Sequence, residues 1–267
     1  MQQNNEDNLC NIKDDFNFFD TENYKRSGLN PKYTFDNFVV GNSNKFATEV
    51  AYAVAEAPAK LHNPLYIYGK TGLGKTHLIN AIGNKIIKDN SKANVLYFTS
   101  DMFYNELMND IKKGKIGNII NKCKGKDVLI FDDVQFIAGK KICQEAFFMI
   151  FNHLYYNGKQ IIISSDILPR EISPLYENLK SRCEWGMIAE LSEANYETRL
   201  EILKRKVEEK NIIVSDEILS IIATRINSNI MELEGILNRI VAYANLNHNQ
   251  ITTEIAENIL NDYIKQK

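Results

Sequence analysis

The chain has 267 residues and a formal net charge of −2, with 44% hydrophobic and 25% charged residues. This size allows one or two domains with a substantial core, and the composition is ordinary for a globular protein. The small net charge excludes a chain that is basic throughout, so any contact with nucleic acid needs a local basic patch. No apolar run approaches the roughly 20 residues that span a bilayer, and the polar, acidic N-terminus is unlike a signal peptide. The four widely spaced cysteines indicate reduced thiols and predict a cytoplasmic protein.

The first part of the chain predicts a tail followed by an α/β domain. Residues 1–30 are rich in Asn and Asp and poor in aliphatic side chains, which is typical of a disordered polar segment. Residues 31–194 alternate short apolar segments with amphipathic ones. The predicted strands are 65–68, 95–98, 128–132, 160–164 and 187–191. Because these segments are apolar without alternation, they predict a parallel sheet that is covered by helices on both faces.

The pattern becomes helical after residue 194. The predicted helices are 195–209, 215–226, 229–246 and 252–264. Ser215 and Thr252 are each the first residue of a helical segment and are followed two residues later by glutamate, which indicates helix starts. Residues 195–267 therefore form a second, small, all-helical domain in this prediction.

A phosphate-binding loop joins the first predicted strand to a helix. Residues 69–76 read GKTGLGKT and fit the P-loop pattern G-x-x-x-x-G-K-[ST], in the strand, turn and helix order that the motif needs. Glycines let backbone N–H groups point at phosphate oxygens, Lys75 is expected to reach the β- and γ-phosphates, and Thr76 offers a hydroxyl to Mg²⁺. A chance glycine-rich turn is the alternative, and the context disfavours it. The candidate nucleotide-binding residues are Gly69, Thr71, Gly72, Leu73, Gly74, Lys75, Thr76 and His77.

A second acidic motif follows about 60 residues later. The apolar strand 128–132 ends in two adjacent carboxylates, as a Walker B motif does. Asp132 is expected to bind Mg²⁺ through its hydration shell, and Asp133 is expected to orient or activate the attacking water. The alternative is a pair of strand-end acids that cap the next loop.

Two further candidates come later in the chain. The strand ending at Ser164 and Ser165 leads into Asp166, which is placed to sense a γ-phosphate or the attacking water. Polar residues at strand ends are common, so this signal is weak by itself. Arg182 follows in LKSR at 179–182 and has the chemistry of an arginine finger that reaches a neighbouring subunit. From chemistry alone, an ordinary surface ion pair is the favoured interpretation of Arg182.

An ordered set of motifs between residues 33 and 264 resembles the bacterial DnaA replication-initiator family of AAA+ ATPases. The matching segments include YTFDNFVVG at 33–41, the P-loop with His77, DDVQF at 132–136, SD at 165–166, LKSR at 179–182, WG at 185–186, ETR at 197–199 and ELEG at 232–235. The resemblance implies that residues 31–194 bind ATP, that the helical domain is a lid, and that ATP drives helical self-assembly. It also implies that Val39 and Gly41 border the adenine, that Asp166 is sensor 1, and that Arg182 is the arginine finger.

The resemblance also bears on DNA binding. The family carries a helical insertion after its second strand, used for filament packing and single-stranded DNA, and residues 101–126 occupy that place. The candidate DNA-binding lysines are Lys112, Lys113, Lys115 and Lys122, with Lys140 and Lys141 in the loop after Walker B. Together with Lys124 and Lys126 they form a basic stripe that is suited to following phosphates. The alternative is a solvated helix face.

Several positions depart from the family pattern. Met231 stands where the family has its sensor 2 arginine, and a thioether cannot stabilise phosphate charge. Asn178 replaces a second arginine, and Ile142 and Cys143 replace polar residues that contact single-stranded DNA. The family's N-terminal domain and its duplex-reading C-terminal domain have no counterpart in these 267 residues. Nucleotide binding is therefore expected, while Met231 weakens the expectation of hydrolysis.

The sequence thus predicts an ATP-binding DnaA-type AAA+ protein, with ATP or ADP and Mg²⁺ as cofactors, in the initiation or regulation of chromosomal replication. Its enzymatic activity would be hydrolysis of ATP to ADP and phosphate. The expected partners are other copies of the chain, a full-length initiator or other replication proteins, and single-stranded DNA. The alternatives are an adaptor of the Hda type that binds nucleotide permanently, a helicase-loader-type ATPase, and a fragment of a longer initiator.

Overall fold

The computed structural model describes residues 22–115, 117–246 and 250–266. The chain divides into two compact units. Among the described residues, the first contains 22–38 together with Glu49–Tyr68 and Lys75–Ala189, and the second contains Val39–Thr48, Gly69–Gly74 and the residues from Glu190 onward. Within the described ranges, no helix has both the length and the apolar character that a membrane crossing requires.

Five strands form one sheet. They are β1 (Leu65–Tyr68), β2 (Val95–Thr99), β3 (Val128–Asp132), β4 (Gln160–Ser165) and β5 (Met187–Glu190), in the order β2-β3-β4-β1-β5. The pairs β1 with β4, β3 with β4 and β2 with β3 are parallel. The predicted strands agree with these bounds to within one residue, and the predicted α/β fold is confirmed.

Helices flank the strands and continue beyond them. In chain order they are α1 (Glu22–Ser27), α2 (Lys45–Glu56), α3 (Lys75–Asp89), α4 (Ser100–Lys112), α5 (Gly117–Lys124), α6 (Lys141–Tyr156), α7 (Glu177–Glu184), α8 (Tyr196–Glu209), α9 (Asp216–Arg225), α10 (Ile230–Leu246) and α11 (Thr253–Gln266). Short 3₁₀ turns lie at Val134–Ile137 and Pro169–Glu171.

Successive strand residues point to opposite faces of the sheet. All five residues of β3 are buried, so both faces are covered at this strand. On one face, the ring of Phe131 lies 5.3 Å from the ring of Phe103 and 4.3 Å from that of Phe147, which are residues of α4 and α6. On the other face, Ile130 packs so closely on α3 that a Cβ at Gly83 would lie 2.9 Å from its Cδ1 atom. Both contacts explain why β3 is apolar without alternation.

The prediction of a disordered tail through residue 30 is wrong for residues 22–30. Residues 22–27 form α1, and Tyr24, Ser27 and Leu29 are buried. The Tyr24 hydroxyl donates a hydrogen bond of 2.9 Å to Asn84 Oδ1, which ties α1 to α3. These contacts join residues 60 positions apart, so the local composition gave no sign of them. Residues 1–21 of the predicted tail lie outside the described residues.

The second unit has its own helical core. Asn195, Ser215 and Thr252 each accept a hydrogen bond from a backbone N–H three residues later, so they are the N-caps of α8, α9 and α11. Buried aliphatic residues of α10, including Leu233 and Ile240, form the centre of this core. The predicted helix starts at Ser215 and Thr252 are therefore confirmed.

The second unit also includes two segments that the sequence analysis assigned to the α/β domain, Val39–Thr48 and Gly69–Gly74. Ser192 N–H donates to Ser43 O at 3.1 Å, and Ile230 N–H donates to Gly72 O at 2.9 Å. Backbone hydrogen bonds across the sequence hold both segments in this unit, and a local pattern does not encode them.

Candidate functional site

Polar residues of the first unit converge at the carboxyl edge of the sheet. Lys75 and Thr76 begin α3 directly after the β1 loop, Asp132 ends β3, and Asp166 follows β4. Because β4 lies between β1 and β3, the carboxyl ends of these three parallel strands are neighbours. The structure therefore brings together four of the residues that the sequence predicted, and we call them the carboxyl-edge cluster.

Lys75 is bound by a carboxylate in this cluster. Its side chain is 6% exposed, and its Nζ atom lies 2.6 Å from Asp166 Oδ1. A buried ammonium needs such a partner because leaving it uncompensated is costly. Asp166 thus holds the lysine at the carboxyl edge, where a phosphate oxygen would compete for the same ammonium group.

Asp132 has the densest hydrogen bonding in the cluster and is 1% exposed. Its Oδ2 atom accepts from Thr76 Oγ1 at 2.9 Å and from the Tyr97 hydroxyl at 2.8 Å. Its Oδ1 atom accepts from Ser164 Oγ. Burial raises the pKa of Tyr97 far above its usual value, and the nearby Asp132 charge adds to this, so the phenol remains a donor.

The pair of Thr76 and Asp132 fits magnesium by its chemistry. A hydroxyl and a carboxylate are the hard oxygen ligands that Mg²⁺ prefers, and Mg²⁺ at phosphate sites uses one or two carboxylates plus phosphate oxygens. Within the described residues, no group of three or more His, Cys, Asp and Glu side chains is arranged to hold a metal. Two oxygen donors from the protein leave coordination positions that phosphate oxygens and water can fill.

Asp133 is held in an unusual backbone conformation with φ of 59° and ψ of 50°. Its N–H donates to Ser164 Oγ at 2.8 Å, and its carbonyl accepts from Ser100 Oγ at 2.7 Å. Burial raises the pKa of the Asp133 carboxyl, and the charge of Asp132 raises it further. A carboxylate with a raised pKa is a stronger base, which suits the predicted role in activating water.

The glycines of the P-loop adopt backbone angles that other residues avoid. Gly72 has φ of +82° and Gly74 has φ of +96°, and a Cβ at Gly72 would lie 2.9 Å from Asn229 Oδ1. Gly69 and Leu73 are buried, and Thr71 is exposed. Within the second unit, the N–H of Ile230, the first residue of α10, donates to Gly72 O in the loop. Met231 is the second residue of α10 and is 66% exposed.

Val39 and Gly41, which the resemblance places at the adenine, line a cavity of about 650 Å³ in the second unit. The other lining residues include Asn195, Glu197 and Thr198. A Cβ at Gly41 would lie 2.0 Å from Thr198 Oγ1, so the close approach of α8 requires glycine there. The structure therefore brings Val39 and Gly41 to one cavity, which has room for a small ligand.

His77 is anchored within the first unit by a short aromatic segment. Its Nε2 atom lies 2.9 Å from Thr34 O, and its ring stacks on Tyr33 at 4.8 Å and meets the edge of Phe38 at 5.1 Å. The geometry thus gives His77 a packing role. Its predicted contact with nucleotide remains a prediction.

Arg182 is held by aromatic side chains rather than by an acid. Its Nη2 atom donates to the Tyr156 hydroxyl at 3.0 Å, and its guanidinium lies 4.6 Å from the Trp185 ring centre and 5.6 Å from that of Tyr156. Its Nη1 atom is buried without a hydrogen-bond partner in the described part of the chain. The ordinary surface ion pair favoured from chemistry alone is therefore wrong, since no carboxylate among the described residues pairs with Arg182.

The predicted DNA-binding lysines fall into two groups. Lys122 pairs with Glu106 at 2.9 Å and lies over the Phe98 ring, and Lys140 lies 3.8 Å from Asp101. The other four are exposed and form no ion pair with a residue that the structure describes: Lys112, Lys113, Lys115 and Lys141. Because acids pair with Lys122 and Lys140, the basic stripe is less positive than its sequence suggests.

The predicted helical insertion is confirmed as a pair of helices, α4 and α5.

Sequence reasoning missed Tyr97 and gave Ser164 no specific role. Tyr97 pairs with Ile130 in the β2–β3 register. Ile130 lies two residues before Asp132, so the side chains of Tyr97 and Asp132 are on the same face of the sheet. Ser164 lies one position beyond Ile163, which pairs with Phe131 in the β3–β4 register, and so stands opposite Asp132. The signal was present as polar side chains in apolar strands, but using it requires the strand order.

Comparisons with known proteins identify a family and relatives of this chain. A family model described as the bacterial DnaA ATPase domain matches residues 29–190. The chain is 53% identical over 247 residues to the chromosomal replication initiator protein DnaA of Thermoanaerobacter sp. (strain X514), covering 92% of this chain and 56% of that relative. It therefore spans little more than half the length of that curated relative.

Solved structures are similar as well. Domain III of the Thermotoga maritima replication initiation protein DnaA has a TM-score of 0.86 and 38% identity, covering 90% of this chain and all of that one. A replication initiator DnaA bound to AMPPCP and single-stranded DNA has a TM-score of 0.73 and 40% identity, covering 80% of this chain and 66% of that one.

Proposed function

The chain belongs to the bacterial DnaA ATPase-domain family, and we therefore propose that it binds ATP with Mg²⁺ and acts in the initiation or regulation of chromosomal replication. The chromosome of a bacterium lies in the cytoplasm, so the proposal places the protein there. A similar initiator binds AMPPCP, a nonhydrolysable ATP analogue, which supports nucleotide binding by this chain.

One observation carries the proposal. The Thr76 hydroxyl and the Asp132 carboxylate, 56 residues apart in sequence, meet at 2.9 Å. These are the two groups that the P-loop and Walker B motifs assign to Mg²⁺, and Lys75, whose buried ammonium pairs with Asp166, directly precedes Thr76. A buried cation next to an oxygen pair matches the charge pattern of a magnesium-bound triphosphate.

The same cluster supports hydrolysis. Bound Mg²⁺ would neutralise charge that develops on the phosphate oxygens. Asp133 would accept a proton from water as the water oxygen attacks the γ-phosphorus, and the bond to the β-phosphate oxygen would break to leave ADP and phosphate. Asp166 would position the phosphate or the water, and Arg182 would be supplied by a neighbouring copy of the chain.

The proposal includes self-assembly and contact with single-stranded DNA. A similar initiator binds single-stranded DNA, and four candidate lysines of this chain are exposed without an ion pair in the part that the structure describes. Other partners in this proposal are a full-length initiator or other replication proteins. Exposed lysines would contribute affinity through phosphate contacts without reading bases.

A second function is favoured by Met231. This residue lies in the first turn of α10, whose first residue is bonded to the P-loop, and the resemblance places there a lid arginine that contacts the γ-phosphate. A methionine supplies no charge at that position. The chain would then hold its nucleotide without turnover, as a fixed element of an assembly or of an adaptor that binds the initiator. Hydrolysis separates the two functions, because binding is common to both.

Nucleotide binding and turnover by the unmodified chain, with and without single-stranded DNA, test the proposal. Lys75→Ala is the disabled variant, and Lys85→Ala is the matched control, since Lys85 lies on the same helix in an ion pair with Asp89. We expect Lys75→Ala alone to lose ATP binding. Equal ATP binding by both variants would contradict the proposal, and binding without turnover would favour the second function.

A further inference from the structure

The Walker B carboxylate is held from both sides by strands that flank it. Tyr97 on β2 donates to Asp132 Oδ2 at 2.8 Å, and Ser164 on β4 donates to Oδ1. Each carboxylate oxygen therefore has a donor from a different strand. Asp132 is 1% exposed, so bulk solvent has almost no access to these oxygens.

Thr76 shares one of the two oxygens. Its hydroxyl donates to the same Oδ2 atom that accepts from Tyr97. A threonine hydroxyl binds a metal through an oxygen lone pair and keeps its proton, so Thr76 can still donate to Oδ2 as a metal ligand. The donors on β2 and β4 lie on the flanking strands of the sheet and hold the carboxylate in one orientation.

Ser164 connects this arrangement to the neighbouring acid. Its Oγ atom donates to Asp132 and accepts from the Asp133 N–H at 2.8 Å. That N–H belongs to the residue with the left-handed backbone, which needs surrounding contacts to persist. One serine therefore fixes the side chain of Asp132 and the backbone of Asp133.

We propose that Tyr97 and Ser164 are positioning residues for Mg²⁺, which hold the Asp132 carboxylate in the orientation that receives the metal. The inference rests on the proposed function, since it concerns how the same site binds Mg-nucleotide. Partners of metal-binding carboxylates commonly tune metal affinity by about 10- to 100-fold. Two hydroxyls on neighbouring strands thus belong to the metal site without touching the metal.

The chain offers a matched control for each residue. Tyr66 is a buried tyrosine of β1 whose hydroxyl donates to Ile167 O at 2.8 Å, away from Asp132. Ser165 is a buried serine next to Ser164 whose Oγ atom accepts from the Ile167 N–H at 3.3 Å. Tyr66→Phe and Ser165→Ala therefore remove a buried hydroxyl of the same kind and leave the carboxylate untouched.

The test is a Mg²⁺ titration of ATP binding, followed with a fluorescent ATP analogue on the full chain, with thermal unfolding measured for each variant. We expect Tyr97→Phe and Ser164→Ala to raise the half-saturating Mg²⁺ concentration by about 10-fold or more. For Tyr66→Phe and Ser165→Ala, the half-saturating Mg²⁺ concentration is expected to stay within about twofold of that of the unmodified chain. The nucleotide affinity without metal is expected to stay within about twofold for all four variants.

Failure of this inference is distinguishable from failure of the proposed function. If the unmodified chain binds Mg-ATP and both variants match their controls, the inference is overturned and the proposed function stands. If the unmodified chain shows no Mg²⁺-dependent binding, both are overturned. Because the phenol and the hydroxyl are tested by separate variants, one variant that fails to fold leaves the other to decide.

Discussion

The carboxyl-edge cluster and the lysine stripe were both predicted from sequence, and they differ in how the fold treats them. Two of its four residues, Lys75 and Asp132, are buried. Each has partners within about 3 Å: Lys75 with Asp166, and Asp132 with Thr76, Tyr97 and Ser164. Three of the six candidate lysines, Lys113, Lys115 and Lys140, lie outside helices, and two of the six are already paired with acids.

The contrast shows that a sequence motif predicts the relative positions of its side chains, whereas the number of lysines in a segment does not. Burial makes unpaired polar groups expensive, so the cluster has few alternative arrangements. An exposed ion pair such as Lys122 with Glu106 is worth only about 0–1 kcal/mol, so surface lysines are free to rearrange. We therefore expect single substitutions in the cluster to have large effects on nucleotide binding or turnover. Substitutions of single lysines are expected to have small effects on DNA binding that add up over several lysines.

The largest effect is expected at Asp132. Asp132→Asn removes the charge at nearly constant shape, so Mg²⁺ should lose its effect on ATP affinity, a change of about 100-fold or more. Asp127→Asn is the matched control, because Asp127 precedes the same strand at its other end and pairs with Lys159 near the surface. Equal Mg²⁺ dependence of the two variants in equilibrium binding would refute the assignment of the metal site.

A large effect on turnover, but not on binding, is expected at Arg182. Arg182→Ala leaves the protein's own P-loop intact, so ATP affinity should stay unchanged while ATP-dependent assembly and turnover fall, by about 10³-fold if a finger acts in trans. Arg170→Ala, at an exposed arginine of a 3₁₀ turn, is the control. Mixing Arg182→Ala with Lys75→Ala chains should restore part of the turnover, and no recovery would argue against action between subunits.

A moderate gain is expected at position 231. Met231→Arg adds a cation at the start of α10 beside the P-loop, and a charged hydrogen bond to the γ-phosphate would raise the preference for ATP over ADP by about 10-fold. Met149→Arg, at a 52% exposed methionine of α6, controls for the added charge. The affinities for ATP and for ADP are measured by competition. Equal ratios of ATP affinity to ADP affinity in Met231→Arg and Met149→Arg would contradict a sensor 2 role for position 231.

The smallest effects are expected for the lysines. The combined change of Lys112, Lys113 and Lys115 to alanine should weaken single-stranded DNA binding and reduce the slope of log affinity against log salt by about 0.7 for each phosphate that is no longer neutralised. Lys122→Ala should change the slope less, because Glu106 already neutralises that lysine. An unchanged slope in the triple variant would show that DNA, if bound, lies elsewhere.

The sequence predicted the strands and the principal site residues because both are encoded locally. An apolar run of four residues before Asp132 identifies β3, and the spacing of Lys75 and Thr76 after the glycines identifies the P-loop. Parallel-sheet geometry then places Asp132 and Asp166 at the same edge. None of these steps needs contacts between distant residues.

The rest depends on such contacts. Tyr97 reaches Asp132 across 35 positions, Tyr24 reaches Asn84 across 60, and Arg182 reaches Tyr156 across 26. In the sequence, these residues are a tyrosine in an apolar strand, a tyrosine in a polar tail and an arginine on a short helix. Their roles follow only after the strand order and the helix positions are known.

The magnesium-nucleotide site is tested most directly by a crystal of the chain grown with AMPPCP and Mn²⁺ in place of Mg²⁺, with the metal located by its anomalous scattering. We expect one metal peak beside the analogue's phosphates, about 2.1 Å from Thr76 Oγ1 and adjacent to the Asp132 carboxylate. Lys75 would contact a phosphate oxygen in place of its present bond to Asp166. A bound analogue whose metal lies away from both Thr76 and Asp132 would contradict the proposed site.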